Sequence, residues 1–470
     1  MILKNKDGKA GVVILILTLF ILIALVPWYF IVAGNLDNFN IFDRSPSSES
    51  EASEAESPHP GDDDPEQDED PEDDPEQDTE QGSALETTFE ETVISLADMN
   101  PELHRNLNTI ASRFNTTAVS LVAYDGLTGD YYTYEHGYAD VEARRRIDDD
   151  TKFRVASLAK LTTAICIMAL VDNGLIDLDA DISIYLGYEV RNPHYQADII
   201  TPRMLLQHTS SIFDSGSFQL SRDRDSSESV RFLLERGSPG GQSTSFRRNQ
   251  PGTHFEYTNF GFSVLGAICE NVAGKSLDTY SREVLFDPLG IDAAYVPAHL
   301  IDIENIAVLY NERHEITRSV ESQLEVGESS LLGHDLHLAQ GNLTISTLDY
   351  AKILIMLGNN GTLYGSRILS PEAVRIMHIT NVQGASYEQG LATRYSFGDF
   401  KPDEGFFWHT GSAYGTFGQY IYGVNPYENR GVVVVTTGAT TGREENGMVS
   451  VCAELSSLVW TGLGFSSHSS

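Results

Sequence analysis

The chain has 470 residues and a formal net charge of −37 at pH 7, from 68 acidic and 31 basic side chains. Residues 91–470 hold 46 of the acidic and 27 of the basic side chains, so this part alone has a net charge of −19. Nucleic acid is therefore not expected as a partner, because binding to phosphate backbones requires clustered Lys and Arg side chains.

The first predicted element is a membrane-spanning helix over residues 11–33, where apolar side chains dominate and Thr18 is the main polar interruption. About 23 residues at 1.5 Å each span roughly 35 Å, which is enough to cross a bilayer. Three lysines precede this segment and acidic residues follow it, an arrangement that orients the N-terminus inward and the rest of the chain outward. We therefore predict that residues 1–34 form a cytoplasmic tip and a single-pass anchor in the cell membrane. A cleaved secretory signal is the alternative, since Val32-Ala33-Gly34 supplies small residues near a possible cut.

Residues 35–90 are predicted to be a disordered acidic linker. Within them, residues 45–80 carry 17 acidic side chains and no Lys or Arg, and the hexapeptide at 63–68 recurs at 73–78. Such a segment offers almost no apolar surface to offset its chain entropy, and its charges repel one another. We expect an extended spacer that holds the following domain away from the membrane.

Residues 91–465 are predicted to fold as one α/β (α+β) domain, followed by a tail at 466–470. Helices are predicted at 101–113, 157–171, 201–207, 257–273, 346–357, from Ser370 onward, and at 447–460. Strands are predicted at 118–124, 131–138, 417–424 and 431–437. Strands near both ends with helices between them indicate a mixed sheet flanked by helices, plus a helical lobe from the middle of the chain. We expect the functional site between the sheet and this lobe.

The three cysteines, Cys166, Cys269 and Cys452, are far apart in apolar helical contexts, which predicts buried free thiols rather than disulfides or a zinc site. His334, Asp335 and His337 lie close together, but without a further placed ligand they predict a loop and not a metal centre. No metal and no organic cofactor is expected.

The pair Ser157 and Lys160 is the strongest indication of chemistry in the chain. Residues three apart on a helix lie on one face, with Cβ atoms roughly 5 to 6 Å apart, so the hydroxyl and the amine can share a proton. Only one of the eight lysines, Lys160, follows a serine at this spacing. An amine acts as a base for serine only where burial lowers its proton affinity, and the neighbours of Lys160 are apolar.

Further short motifs follow this pair in a fixed order, and the set resembles the penicillin-recognising serine hydrolases, the family of class C β-lactamases, D-Ala-D-Ala carboxypeptidases and β-lactamase-fold esterases. The segments that carry the resemblance are Phe153-Arg154-Val155-Ala156-Ser157-Leu158-Ala159-Lys160, Gln207-His208-Thr209-Ser210, Tyr257-Thr258-Asn259, Gly341-Asn342-Leu343 and His409-Thr410-Gly411-Ser412. Each alone is weak, but their order and spacing over residues 91–464 make chance improbable. The resemblance implies a β-lactamase/transpeptidase-like fold.

The resemblance also implies a role for each motif. Ser157 is the nucleophile that becomes acylated, and Tyr257 and Lys160 jointly accept its proton and return it to the leaving group. Asn259 orients Lys160 or the acyl amide. His409, Thr410, Gly411 and Ser412 border the substrate, and the backbone N–H groups of Ser157 and Ser412 hold the oxyanion.

Two positions depart from the family pattern. His409 occupies a position where many β-lactamases have lysine, so a permanent positive charge facing the substrate carboxylate is absent from this motif. Ser211 stands where the family usually has glycine, which implies a change in the local turn. The first departure disfavours β-lactamase as the physiological activity.

The sequence therefore predicts a membrane-anchored, extracytoplasmic serine hydrolase that acts on small peptide-like amides or esters, such as cell-wall D-alanyl peptides or β-lactams. Two alternatives stay open. One is a broad-specificity esterase, and the other is a penicillin-binding or sensor protein that is acylated on Ser157 without turnover.

Overall fold

The computed structural model describes residues 91–465 except 224–228, 237–243, 385, 399–400, 424–428 and 445. The predicted anchor, the acidic linker and the tail at 466–470 lie outside the described residues, so they stay predictions. Within the described part of the chain, no helix combines the length and apolarity needed to cross a bilayer.

A ten-stranded mixed sheet forms the centre of the domain. Its long path contains β1 (Thr92–Ser95), β2 (Ala118–Asp125), β3 (Asp130–Asp140), β4 (Val382–Gln383), β5 (Glu388–Gln389), β6 (Arg394–Gly398), β7 (Lys401–Ala413), β8 (Thr416–Tyr422) and β9 (Arg430–Thr437). The spatial order is β1-β3-β2-β9-β8-β7-β6-β5-β4, and Arg145–Arg146 pairs with β3. The pairing of β1 with β3 is parallel and the other pairings are antiparallel. Strands from near the two ends of the described domain therefore meet in the middle of the sheet, where β2 lies beside β9.

Helices cover both faces of this sheet. Seven of them are labelled α1 (Pro101–Arg113), α2 (Ala159–Asp172), α3 (Pro202–Leu206), α4 (Phe260–Ala273), α5 (Thr347–Gly358), α6 (Pro371–Met377) and α7 (Ser450–Gly462). Further helices of four to eight residues lie at Leu96–Met99, Ser183–Leu186, Gly216–Asp223, Val230–Leu234, Leu277–Ser281, Val320–Leu324 and Leu338–Gly341. Three two-stranded ribbons pair Phe153–Arg154 with Thr344–Ile345, Leu309–Tyr310 with Ile316–Arg318, and Thr362–Leu363 with Ser366–Arg367.

Strand β9 shows why the sheet is covered on both sides. Its four consecutive valines point alternately to opposite faces, as the two-residue period of a strand requires. Val432 and Val434 join the apolar cluster under α1 and α7. Val433 and Val435 join the larger cluster that includes α2, α4 and α5. The run of four valines is therefore buried on both faces, as its central position in the sheet requires.

Most predicted elements are present, and helix α1 has the predicted limits. The predicted helix from 257 instead begins at Phe260, and Ser157 lies in a 3₁₀ turn, Ala156–Leu158, immediately before α2. Strands β6 and β7 were not predicted, although the third motif was placed on a strand edge. The α/β (α+β) prediction with a mixed sheet, flanking helices and a helical lobe is confirmed, and Cys166, Cys269 and Cys452 are buried and free, as predicted.

Candidate active site

Ser157 lies at a sharp turn between the short strand Phe153–Arg154 and helix α2. Ala156 has φ +50°, a left-handed conformation that is uncommon for alanine. This turn places the Ser157 side chain on the wall of an open cleft, while Leu158 next to it is fully buried. The Lys160 Nζ is 3.3 Å from Ser157 Oγ. The predicted contact between the two residues is therefore present, although Ser157 precedes the α-helix.

Lys160 is completely buried, and its ammonium group has oxygen partners on three sides. Besides Ser157 Oγ, it donates to Asn259 Oδ1 at 2.9 Å and to the Gln340 carbonyl at 2.6 Å. These three acceptors match the three N–H donors of an ammonium group. The rings of Tyr257 and Phe262 lie 5.1 and 5.4 Å from Nζ. Burial and this complete set of contacts fix the position of Nζ beside the nucleophile.

Asn259 is held by Asp214, a residue whose role the sequence did not reveal. Asp214 Oδ1 accepts hydrogen bonds at 2.8 Å from Thr258 Oγ1 and from the backbone N–H groups of Asn259 and Phe260. Asp214 Oδ2 accepts one from Asn259 Nδ2 at 2.8 Å. Because the amide nitrogen of Asn259 is engaged by Asp214, its amide oxygen must face Lys160. The carboxylate also occupies the N–H groups at the start of α4, which explains why that helix begins only at Phe260.

Tyr257 lines the same cleft, and its hydroxyl oxygen is buried with no hydrogen-bond partner among the described residues. Its ring centroid is 4.5 Å from that of His208 and 6.0 Å from that of His409. Buried tyrosine hydroxyls are usually paired, because an unpaired polar group costs free energy. The unpaired hydroxyl is therefore available to a proton from Ser157 or from a substrate.

His208 braces the second motif. Its Nδ1 accepts the Thr258 backbone N–H at 3.2 Å, so in the neutral ring the proton is on Nε2. Burial lowers the pKa of His208 well below its ordinary value, and the positive charges of Lys160 and Arg394 lower it further. Nearby Ser211 has φ +66°, so the left-handed turn suited to glycine is kept, and Asn192 Nδ2 donates to its hydroxyl at 2.9 Å.

The third motif lies at the end of strand β7. The ladder between β6 and β7 stops at the pair Arg394 and Trp408, so the residues from His409 onward have no strand beside them on the β6 side. Thr410 and Ser412 line the cleft. A side chain at Gly411 would meet the Val155 carbonyl oxygen at 2.4 Å, so glycine allows the strand to approach the Ser157 turn.

His409 is buried and does not line the cleft, and neither does Gly411. The His409 Nδ1–H donates to the Thr410 carbonyl at 2.7 Å. Burial lowers the pKa of His409 well below its ordinary value, and the positive charges of Arg394 and Lys160 add to this effect. The ring is therefore neutral at physiological pH, and it packs behind the site instead of facing a substrate.

A permanent positive charge is nevertheless present at this motif, which corrects the sequence expectation. Arg394, at the start of β6, is 9% exposed and its Nη1 lies 3.5 Å from Thr410 Oγ1. Its guanidinium carbon is 4.6 Å from the Tyr387 ring centroid and 5.0 Å from that of Trp408. Arg394 belongs to none of the sequence motifs, and the strand that brings it beside Thr410 was not predicted, so the sequence analysis missed it.

The cleft between the sheet and the helical part has a volume of about 630 Å³. Among the described residues, its lining includes three arginines and no aspartate or glutamate. The lining residues are Arg154, Ala156, Ser157, Tyr257, Asn259, Gln340, Gly341, Arg394, Thr410, Ser412, Ala413, Tyr414 and Arg443. The site is thus basic within a domain of strongly negative net charge, which favours an anionic ligand. Across the described residues, no group of three His, Cys, Asp or Glu side chains is arranged to hold a metal ion.

Comparisons with known proteins agree with this geometry. Penicillin-binding protein 4 of Amycolatopsis lactamdurans is 32% identical over 164 residues, 35% of this chain and 41% of that protein. Esterase EstB of Burkholderia gladioli is 32% identical over 212 residues, 42% of this chain and 50% of that protein. The chain thus spans half or less of the length of these curated relatives.

Solved structures show the same fold. The octameric penicillin-binding protein homologue from Pyrococcus abyssi has a TM-score of 0.61 and 22% sequence identity, covering 78% of this chain and 77% of that one. The β-lactamase/transpeptidase-like architecture is therefore confirmed. A family model described as Beta-lactamase matches residues 108–450, most of the described domain. The chain accordingly belongs to the beta-lactamase family, whose members are serine hydrolases.

Proposed function

We propose that this protein is a serine hydrolase that forms an acyl-enzyme on Ser157 with peptide-like amides or esters. The observation that carries the proposal is the contact of the buried Lys160 Nζ with Ser157 Oγ on the wall of an open cleft. A solitary serine is a poor nucleophile at neutral pH, and an adjacent proton acceptor activates it.

In the proposed reaction, the Tyr257 and Lys160 pair holds one proton fewer than its phenol and ammonium form, so that Ser157 Oγ can attack the substrate carbonyl while its proton passes to the pair. The backbone N–H groups of Ser157 and Ser412 stabilise the oxyanion that forms, and such a donor is worth about 3 to 4 kcal/mol in the barrier. The pair then returns the proton to the leaving amine or alcohol as its bond to the acyl carbon breaks. Water attacks the ester on Ser157 and releases the acid.

Arg394 supports a substrate whose leaving group carries a carboxylate. A guanidinium donates paired N–H groups that match the oxygens of a carboxylate, and Arg394 lies beside Thr410 on the cleft wall. D-Alanyl peptides and β-lactams both have such a carboxylate. We propose a D-alanyl peptide carboxypeptidase or β-lactamase-like activity, exercised outside the cytoplasm by a chain anchored through residues 11–33.

A broad-specificity esterase is the second candidate. It is favoured by the similarity to an esterase. The two candidates differ in their dependence on the leaving-group carboxylate. A carboxypeptidase turns over acyl-D-Ala-D-Ala, whereas a broad esterase hydrolyses small p-nitrophenyl esters much faster than any such peptide.

The proposal is tested on the full-length protein with a fluorescent penicillin and a fluorophosphonate probe, followed by mass spectrometry of the labelled peptide. We expect one labelled residue, Ser157, and no labelling of a Ser157→Ala variant. Ser330→Ala, an exposed serine outside the cleft, is the matched control and should label normally. Labelling at another residue, or unchanged hydrolysis by Ser157→Ala, contradicts the proposal. A penicillin adduct that persists for hours without product release identifies a sensor instead of a hydrolase.

A further inference from the structure

Tyr414 at the mouth of the cleft lies between two arginine side chains. The guanidinium carbon of Arg318 is 3.8 Å from the Tyr414 ring centroid, and that of Arg154 is 4.8 Å from it. Tyr414 is 39% exposed and has φ +54°, a conformation that is unfavourable for a bulky side chain. We call these three residues the arginine–tyrosine stack.

The stack is held in place by the backbone around it. Arg154 Nε donates to the Gly341 carbonyl at 3.1 Å, and Arg318 Nη1 donates to the Thr317 carbonyl at 2.9 Å. The Thr317 hydroxyl donates to the carbonyl of Tyr414 itself. The ribbon strand Ile316–Arg318 is therefore fastened to the turn between β7 and β8. The guanidinium groups are ordered before any ligand binds, which lowers the entropy cost of using them.

This end of the cleft is strongly basic. Arg154, Tyr414 and Arg443 all line the cleft, and no carboxylate lines it among the described residues. Neither Arg318 nor Arg443 forms a salt bridge with a described residue. A guanidinium has five N–H donors, so stacking on a ring leaves in-plane donors for a carboxylate.

Strand β7 relates the stack to the rest of the site. Arg394 contacts Thr410, the stack surrounds Tyr414, and Ser412 lies between them along the strand. At about 3.3 Å per residue, Thr410 and Ala413, the strand residue before Tyr414, are roughly 10 Å apart along β7. A substrate lying along this strand with its reacting carbonyl at Ser412 therefore has one end at Arg394 and the other at the stack.

We propose that the arginine–tyrosine stack is a subsite for a carboxylate at the far end of the acyl group. The substrate class is then an amide or ester with two carboxylates, one on the leaving group and one on the acyl group. This inference rests on the proposed function and specifies the substrate of the same site. It requires no cofactor, since each turnover adds one water across the bond that breaks.

The test compares two thioesters of mercaptoacetate, glutaryl and pentanoyl, which differ chiefly in the terminal carboxylate of the acyl chain. Hydrolysis releases the free thiol, which is measured by its absorbance after reaction with a disulfide reagent. We expect kcat/KM to favour the glutaryl substrate, and Arg318→Gln to lower the glutaryl-to-pentanoyl ratio about tenfold. Arg313→Gln, an exposed arginine paired with Glu315, is the matched control and should not change the ratio.

Tyr414→Asn provides a second variant, because asparagine tolerates the left-handed conformation while removing the surface on which both arginines stack. It should lower the same ratio. A ratio near one in the unsubstituted protein, or an equal loss of activity on both thioesters in both variants, overturns the subsite alone. Absence of Ser157-dependent thiol release from every thioester overturns the proposed function and the subsite with it.

Discussion

Asp214→Asn should disable the site by turning the amide of Asn259. The carboxylate of Asp214 accepts three hydrogen bonds on Oδ1 and a fourth, from Asn259 Nδ2, on Oδ2. An asparagine at 214 can keep its oxygen where the three donors point. Its nitrogen then faces the Asn259 nitrogen, and two donors oppose each other. Rotating the Asn259 amide relieves this clash but turns its N–H₂ group toward the Lys160 ammonium.

The magnitude follows from the contacts that are lost. A hydrogen bond to a charged group contributes about 1.5 to 3 kcal/mol, so the free energy of unfolding should fall by about that amount. Lys160 is then no longer oriented by its 2.9 Å contact with Asn259, so the transition state for acylation should lose a similar amount of stabilisation. This loss corresponds to a roughly 10- to 100-fold slower acylation of Ser157.

The assay combines the rate of fluorophosphonate labelling with urea denaturation, at a temperature where the variant is fully folded. Asp179→Asn is the matched control: Asp179 pairs with Arg203, its side chain is 64% exposed, and its loss should cost less than about 1 kcal/mol without changing the labelling rate. Normal labelling by folded Asp214→Asn protein would refute the orienting role of Asp214.

Three further substitutions test separate parts of the structure. Tyr257→Phe removes a buried hydroxyl that has no partner, so stability should stay within about 0.5 kcal/mol of the original in urea denaturation while Ser157 labelling slows at least about 100-fold; unchanged labelling would exclude Tyr257 from proton transfer. Gly411→Ala places a Cβ 2.4 Å from a carbonyl oxygen, so it should lower the free energy of unfolding by about 1 to 3 kcal/mol and abolish most of the Ser157 labelling. In Gly442→Ala the nearest atom to the new Cβ is at 3.8 Å, so neither stability nor labelling should change. Burial raises the pKa of Glu135 from 4.5 to about 7, so its contribution to stability is present below about pH 4.5 and is lost as pH rises through 7. Glu135→Gln should therefore be more stable than the original protein by up to about 3 kcal/mol at pH 8 and equal to it near pH 4.5, and equal stability at both pH values would contradict the raised pKa.

Local signals allowed much of the fold to be predicted. Helix α1 has its predicted limits because Asn100 accepts the Leu103 N–H at 3.1 Å and proline occupies the first turn. The helix predicted at 346–357 is present as well and is capped by Ser346, whose hydroxyl accepts the Asp349 N–H at 3.1 Å. Caps act within four residues along the chain, so a single sequence is enough to reveal them.

The structure differs from the sequence predictions where residues distant in the sequence determine the local backbone conformation. The helix predicted from Tyr257 begins late because Asp214, more than forty residues earlier, accepts the N–H groups at its start. Strand β6 was not predicted, although Arg394–Gly398 alternates between polar and aromatic residues, because so short a run is a weak signal and its place is set by pairing with β7. Without β6, no reasoning from the sequence could place Arg394 beside Thr410.

The placement of Arg394 changes the meaning of the histidine in the third motif. Burial and the nearby charge of Arg394 both disfavour a protonated His409, so the pKa of His409 is lowered well below its ordinary value. Arginine stays charged in proteins, so the histidine is the neutral member of this pair. A lysine at 409 would repel Arg394 and Lys160 in the same buried space, at a cost in stability. His409 therefore contributes packing behind the site, and Arg394 on the neighbouring strand contributes the positive charge. In this chain the histidine in the third motif therefore does not indicate a site that lacks a fixed positive charge.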